Sequence, residues 1–185
     1  MVVNLSVRKI VVTGLMGAIA IFLAVTRLGF IPVPNVSGSA TIMHVPAILG
    51  AVLEGPVVGL LVGGIFGVFS WLQATNALFA DPLVAVLPRL FIGVTAYYTF
   101  VALKKNNWLA LTMAGIVGTL TNTILVLGMA VLRKYLPPAI LITILPQAIA
   151  EVVIAVILTV AIGLGAQRMR SGGSGTGSSG EKRAV

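Results

Sequence analysis

An all-α membrane protein of six transmembrane helices, with both termini in the cytoplasm, is the fold class that this chain predicts. Three observations predict it. Hydrophobic residues fill 58% of the 185 positions and charged residues only 9%, where a soluble domain carries roughly 25% charged residues. Apart from Arg89, the Lys and Arg side chains stand at the ends of apolar runs, and they form no common face. Six apolar stretches alternate with Pro, Gly and polar clusters, and at about 20 residues each they use most of the chain. A single transmembrane domain over residues 1–170 is therefore expected, with no room for a separate soluble one.

The first helix is placed at about 8–27. Arg8 and Lys9 precede its apolar run as they would in a secretory signal, but no clean cleavage site follows and many more spans do, so a retained helix is expected. Residues 29–41 form a loop, because Pro32 and Pro34 exclude regular helix. A short second helix, 42–54, is cut off by Gly55-Pro56, and a third spans 56–73. A second outer loop covers 74–82, the fourth helix 83–103, and Lys104–Asn107 make a tight polar turn. The fifth helix runs over 108–132, and a third outer loop, 133–138, ends in Pro137-Pro138 ahead of the sixth helix at 139–167. The Gly/Ser-rich tail, 171–185, is expected to be disordered.

Orientation follows from the basic residues. With the N-terminus inside, Arg8, Lys9, Lys104, Lys105, Arg168, Arg170, Lys182 and Arg183 face the cytoplasm, while Arg27, Arg133 and Lys134 face out.

Composition also excludes chemistry. A net charge of +8 without a basic face gives no reason to expect nucleic acid as a partner. The absence of cysteine rules out disulfides and thiol catalysis. One histidine and four acids leave little for a metal site, so neither a metal nor another cofactor is expected. Without a P-loop or a nucleophile elbow, the chain does not read as an enzyme, and any ATP hydrolysis must come from partner subunits.

What remains is a set of polar side chains inside apolar helices. A charge in hydrocarbon is costly and marks a polar pocket or path. At about 1.5 Å rise per residue, Arg89, Gln147, Asn122 and Glu151 lie roughly 10, 12, 15 and 18 Å below the outer ends of their helices. They thus share the outer half of the membrane, beneath loop 29–41. Arg89 can grip a carboxylate or phosphate bidentately, or it can form a salt bridge with Glu151. Gln147 and Glu151 are four residues apart on one helix face. Glu151 has three open roles: accepting from substrate hydroxyls, orienting Arg89, or serving as the proton or cation site of a stand-alone secondary transporter. The last role calls for inverted repeats or broken helices, and no internal repeat is evident.

Asn122, in GTLTNTILVLG (118–128), suits an amide or hydroxyl ligand and equally suits packing between helices. Thr119, Thr121 and Thr123 are expected to bond their own helix carbonyls. His44 opens the second helix as an interfacial residue or a ligand contact. Trp71 ends the third as a belt residue or a stacking platform for substrate. Gly14-xxx-Ala18 and Ala20-xxx-Ala24 in the first helix allow another helix to approach closely, and Gly59, Gly63, Gly64 and Gly67 form an internal packing stripe.

Over about residues 8–167 the chain resembles an S component, the substrate-binding membrane subunit of energy-coupling factor (ECF) vitamin transporters. The size, the six spans, the short second helix after the loop, Ala20-xxx-Ala24 and TIMHVPAILGAVLEGPVVGLLVGGIFGVFS (41–70) carry the resemblance. Glu54 departs from the apolar residue usual there, on the cytoplasmic side and away from the pocket. PLVAVLPRLFIGVTAYY (82–98) and GTLTNTILVLG (118–128) look most like pantothenate-type members, although cobalamin-type and hydroxymethylpyrimidine-type members are similar too.

The resemblance implies a multi-pass protein of a prokaryotic plasma membrane that captures an extracellular vitamin, with Arg89 and Asn122 meeting the ligand. It further implies docking to a transmembrane coupling subunit through Ala20 and Ala24, two ATPase subunits driving the cycle, and a tipping motion that opens the pocket inward.

Overall fold

A computed structural model describes residues 5–32, 39–74 and 77–172. Pro34, Lys182, Arg183 and tail residues 173–185 lie outside the described residues. The architecture is helical, with one small hairpin. In order it comprises α1 (Val7–Val25), β1 (Phe30–Pro32), β2 (Ser39–Thr41), α2 (Val45–Glu54), α3 (Pro56–Leu72), α4 (Ala77–Ala80), α5 (Pro82–Ala85), α6 (Leu87–Ala102), α7 (Asn107–Leu132) and α8 (Ile140–Gly172).

Among the described residues, four stretches are long and apolar enough to cross a membrane: Val7–Val25, Pro82–Ala102, Asn107–Leu132 and Ile142–Met169. The apolar helices α2 and α3 are shorter. At about 15 and 26 Å they fall below a hydrocarbon core of about 30 Å. Helix α2 makes up for its length by its position. Every residue from Val45 to Val52 is buried, so this helix is the axis around which the others pack.

Most predicted boundaries lie within three residues of the observed ones, and each has a local cause. Helix α1 ends where Thr26 Oγ1 bonds back to the Phe22 carbonyl at 2.7 Å and Arg27 turns to a φ of 58°. Gly55 separates α2 from α3 at a φ of 107°, in the region that favours glycine. The Asn106 side chain caps α7 by accepting from Leu109 N at 3.2 Å.

Four stretches differ from the sequence expectation. Residues 30–41 contain an antiparallel pair, with Phe30 opposite Thr41 and Ile31 opposite Ala40. The expected outer loop 74–82 contains the helical turn α4, and the expected helix 83–103 is broken at Val86. Pro88 causes that break: it has no N–H for the Val84 carbonyl, and its ring crowds that carbonyl. Helix α8 runs five residues past its expected end, to Gly172.

The core mixes alanines with larger apolar side chains. Its main cluster includes Ala47, Ile48, Val58, Val62, Ile92, Ala96, Phe100, Leu111 and Ala114, drawn from α2, α3, α6 and α7. As expected of the glycine stripe, α3 and α6 meet backbone to backbone. A Cβ on Gly63 would lie 2.1 Å from the Arg89 carbonyl oxygen, and one on Gly59 would lie 2.8 Å from Gly93 Cα. Large apolar side chains such as Leu15, Phe22, Phe91, Ile124, Ile142, Ile149, Val153 and Ile157 point outward. That inversion fits a molecule solvated by lipid, where association rests on close packing of small residues.

Candidate functional site

Arg89 is 4% exposed, at the start of α6. Its guanidinium lies between two aromatic rings, 5.6 Å from the Phe66 centroid and 5.0 Å from that of Phe79, inside the roughly 6 Å reach of a cation–π contact. Nη1 donates to the Val84 carbonyl at 2.5 Å. This is the oxygen that Pro88 cannot engage, so the helix break supplies the acceptor. Nε has no partner among the described residues. The ion pairs there join Arg8 to Glu54 and Arg133 to Asp81, and no carboxylate reaches Arg89. A buried guanidinium of this kind is chemically able to receive an anion, because its desolvation is uncompensated by an opposite charge.

Glu151 is not the counter-ion. It is 4% exposed, and four donors hold it. Oε1 accepts from Thr41 N at 2.8 Å, Thr41 Oγ1 at 3.3 Å and Gln147 Nε2 at 3.2 Å, while Oε2 accepts from Thr123 Oγ1 at 3.4 Å. The carboxylate thereby ties α8 to β2 and to α7. The face that does this is set by sequence: Ala148, Glu151, Ala155 and Thr159 turn inward, and Ile149, Val153 and Ile157 turn outward.

His44 is fully buried before α2, and its Nε2 shares a 3.0 Å hydrogen bond with Thr119 Oγ1. One helical turn beyond Thr119 stands Asn122, 8% exposed. His44 Nδ1 and Asn122 Oδ1 are buried and without hydrogen-bond partners among the described residues. Buried polar atoms are normally paired, at a cost of ~1–3 kcal/mol when they are not. The site thus offers a cationic donor at Arg89 and an amide acceptor at Asn122, with an imidazole nitrogen of either role at His44.

Two of the three threonines expected to bond their own helix do otherwise. Thr121 bonds the Val117 carbonyl at 2.8 Å, whereas Thr119 serves His44 and Thr123 serves Glu151. The partners sequence reasoning missed are Phe66, Phe79, Thr41 and the Val84 carbonyl. Only the last left a signal, in Pro88.

Trp71 stands apart from this cluster. Its indole is 41% exposed and its N–H donates to the Ala80 carbonyl at 3.1 Å. Ala20 is fully buried against Met43 and Phe66, with Ala24 partly buried beside it, so a partner cannot touch Ala20 in this conformation. Gly14 and Ala18 are the small pair on the open face of α1.

Two surface clefts lie elsewhere. One of about 270 Å3 is lined by Val52, Glu54, Tyr97 and Lys104, among others, and an apolar one of about 380 Å3 by residues including Phe91, Thr95, Leu120 and Ile124. None of the site residues lines either.

Comparison with known proteins agrees with the geometry. A pantothenic acid transporter, PanT, of Lactococcus lactis subsp. cremoris (strain MG1363) is 32% identical over 151 residues, covering 66% of this chain and 74% of that one. The solved S component of a bacterial ECF transporter superposes with a TM-score of 0.64 at 20% identity, over 88% of this chain and 96% of that one. The family model of the ECF transporter substrate-specific component matches residues 8–163, and the chain belongs to that family.

Proposed function

We propose that this chain captures pantothenate at the outer face of a prokaryotic plasma membrane and delivers it together with a transmembrane coupling subunit and two ATPase subunits. Six spans with both termini inside are part of this reading, α2 and α3 completing the set as short, protein-buried spans. The observation that carries it is the buried Arg89, flanked by Phe66 and Phe79 and lacking a carboxylate partner among the described residues.

Pantothenate has a carboxylate, two hydroxyls and an amide. Its carboxylate suits the Arg89 fork. Its hydroxyl or amide N–H groups suit Asn122 Oδ1, which has no partner among the described residues, and His44 Nδ1 can take either role. The relative's substrate supports the same choice. Glu151 and Gln147 act one layer away, with Glu151 already engaged by four donors. Docking of the coupling subunit falls to the open face of α1, through Gly14 and Ala18, while Ala20 and Ala24 back that face from inside.

The test is calorimetric titration of the purified, detergent-solubilised chain with pantothenate, cobalamin and hydroxymethylpyrimidine. Tight one-to-one binding of pantothenate alone is expected. Binding of cobalamin or hydroxymethylpyrimidine instead removes the substrate assignment. Uptake that persists without ATPase partners removes the mechanism in favour of a secondary transporter.

A further inference from the structure

Both protein groups that hold the Arg89 guanidinium from outside α3 belong to one short stretch of chain, residues 77–85. Phe79, in α4, faces it at 5.0 Å, and the Val84 carbonyl, in α5, accepts from it at 2.5 Å. Between them stands Asp81, at the joint of the two helical turns. Asp81 Oδ1 accepts from Leu83 N at 2.9 Å and so fixes the start of α5. Oδ2 accepts from Arg133 Nε at 2.8 Å and from Tyr135 Oη at 3.3 Å. The carboxylate is buried while Arg133 is 48% exposed, so the stretch is fastened from the outer end of α7. Its other flank is fastened from α3, where Trp71 donates to the Ala80 carbonyl.

We propose that Asp81 is a positioning residue for anion binding. Its pairing with Arg133 and Tyr135 holds the 77–85 stretch in the register at which Phe79 and the Val84 carbonyl aim the Arg89 fork. The proposal rests on the reading of Arg89 as the substrate's carboxylate receptor. Apolar packing alone does not set that register. Val84 packs with Val126 and Ala130 of α7, and Leu78 and Phe79 lie against the same cluster. Such contacts keep the stretch docked but are non-directional. A planar guanidinium binds a carboxylate in one orientation, and a misplacement of about 1 Å costs large factors at such a site. Trp71 takes the same role from the α3 side, which accounts for a tryptophan near the site that does not line it.

The experiment compares two ligands on the full chain: pantothenate and its neutral primary carboxamide. The wild type is expected to prefer the carboxylate. In Asp81→Asn and in Arg133→Gln that preference is expected to fall by about tenfold, with carboxamide affinity changed by less than about threefold. A merely structural role would weaken both ligands together. Folded variants that keep the wild-type preference, or that lose both ligands equally, overturn the proposal. Should Asp81→Asn fail to fold, Arg133→Gln, which alters the half-exposed member of the pair, decides alone. A wild type that does not distinguish the two ligands overturns the Arg89 reading itself.

Discussion

Arg89 donates to the carbonyl of Val84 at 2.5 Å, across the break that Pro88 imposes on the helix. A proline that costs the chain one backbone hydrogen bond thereby creates the acceptor that orients a buried cation. The guanidinium is left between two aromatic rings with an Nε that has no partner among the described residues. Arg89→Ala is expected to weaken pantothenate binding by at least about tenfold, or about 1.4 kcal/mol, in protein that still folds. Arg89→Lys should recover little, because an ammonium lacks the planar fork. Calorimetry on both variants checks this, and unchanged affinity in folded protein would sink it.

Glu151 is expected to matter first for stability. Glu151→Ala leaves the Thr41 N–H without its carboxylate and removes the acceptor that Thr123 Oγ1 and Gln147 Nε2 share. The expected loss is about 1–3 kcal/mol for the unsatisfied donor, read as a lower unfolding temperature in detergent. Under the rival reading, in which Glu151 is a proton or cation site, Glu151→Gln would instead abolish uptake and leave stability alone.

The approach of α3 to α6 predicts a sharp contrast between two glycines. A Cβ on Gly63 would lie 2.1 Å from the Arg89 carbonyl oxygen, whereas one on Gly14 would meet nothing within 4 Å. Gly63→Ala must push the helices apart at the residue that bears the guanidinium, so about 1–3 kcal/mol of stability and much of the ligand affinity should go together. Gly14→Ala should be neutral in both assays. Equal behaviour of the two would show that the helices do not pack this closely.

Asp81 predicts a pH dependence of stability. Burial raises the pKa of its carboxyl, but the Leu83 amide, the Arg133 guanidinium and the Tyr135 hydroxyl together outweigh that and hold it below its ordinary 3.8. A carboxyl whose pKa is depressed by folding contributes stability that is complete above its unfolded value and is lost as pH falls through the folded one. The wild type should therefore lose stability as pH drops below 3.8, and Asp81→Asn should lose less over the same interval. Melting temperatures of the two proteins across that range test the linkage, and parallel curves would refute it.

Much of this is legible in the sequence, for reasons that differ by residue. Gly55-Pro56, Asn106 and the apolar runs set helix boundaries locally, so they can be read locally. Arg89, Asn122 and Glu151 stand out because ionisable and amide groups are costly in apolar helices. Their partners do not stand out. Phe66, Phe79 and Thr41 are ordinary residues for their surroundings, and only the folded chain brings them to Arg89 and Glu151. Periodicity likewise does not tell which side of α1 is covered: Ala20 and Ala24 show the same spacing as Gly14 and Ala18, yet Met43 and Phe66 bury Ala20. The helix break at Val86 was encoded in Pro88, and its consequence for the Val84 carbonyl needed the position of Arg89.

The two small-residue pairs of α1 are expected to separate docking from binding. Ala18 is exposed on the face that also carries Leu15 and Phe22, so Ala18→Leu should leave pantothenate affinity unchanged in the isolated chain. The added bulk blocks close approach of another helix, and uptake by the reconstituted complex should be abolished. Ala20→Leu differs in kind. It enlarges a residue packed on Phe66, whose ring lies 5.6 Å from the Arg89 guanidinium, so affinity and uptake should fall together. Measuring both variants by calorimetry and by uptake gives four values. Normal uptake by Ala18→Leu removes the open face of α1 as the docking surface, and wild-type affinity in Ala20→Leu removes the link from α1 through Phe66 to Arg89.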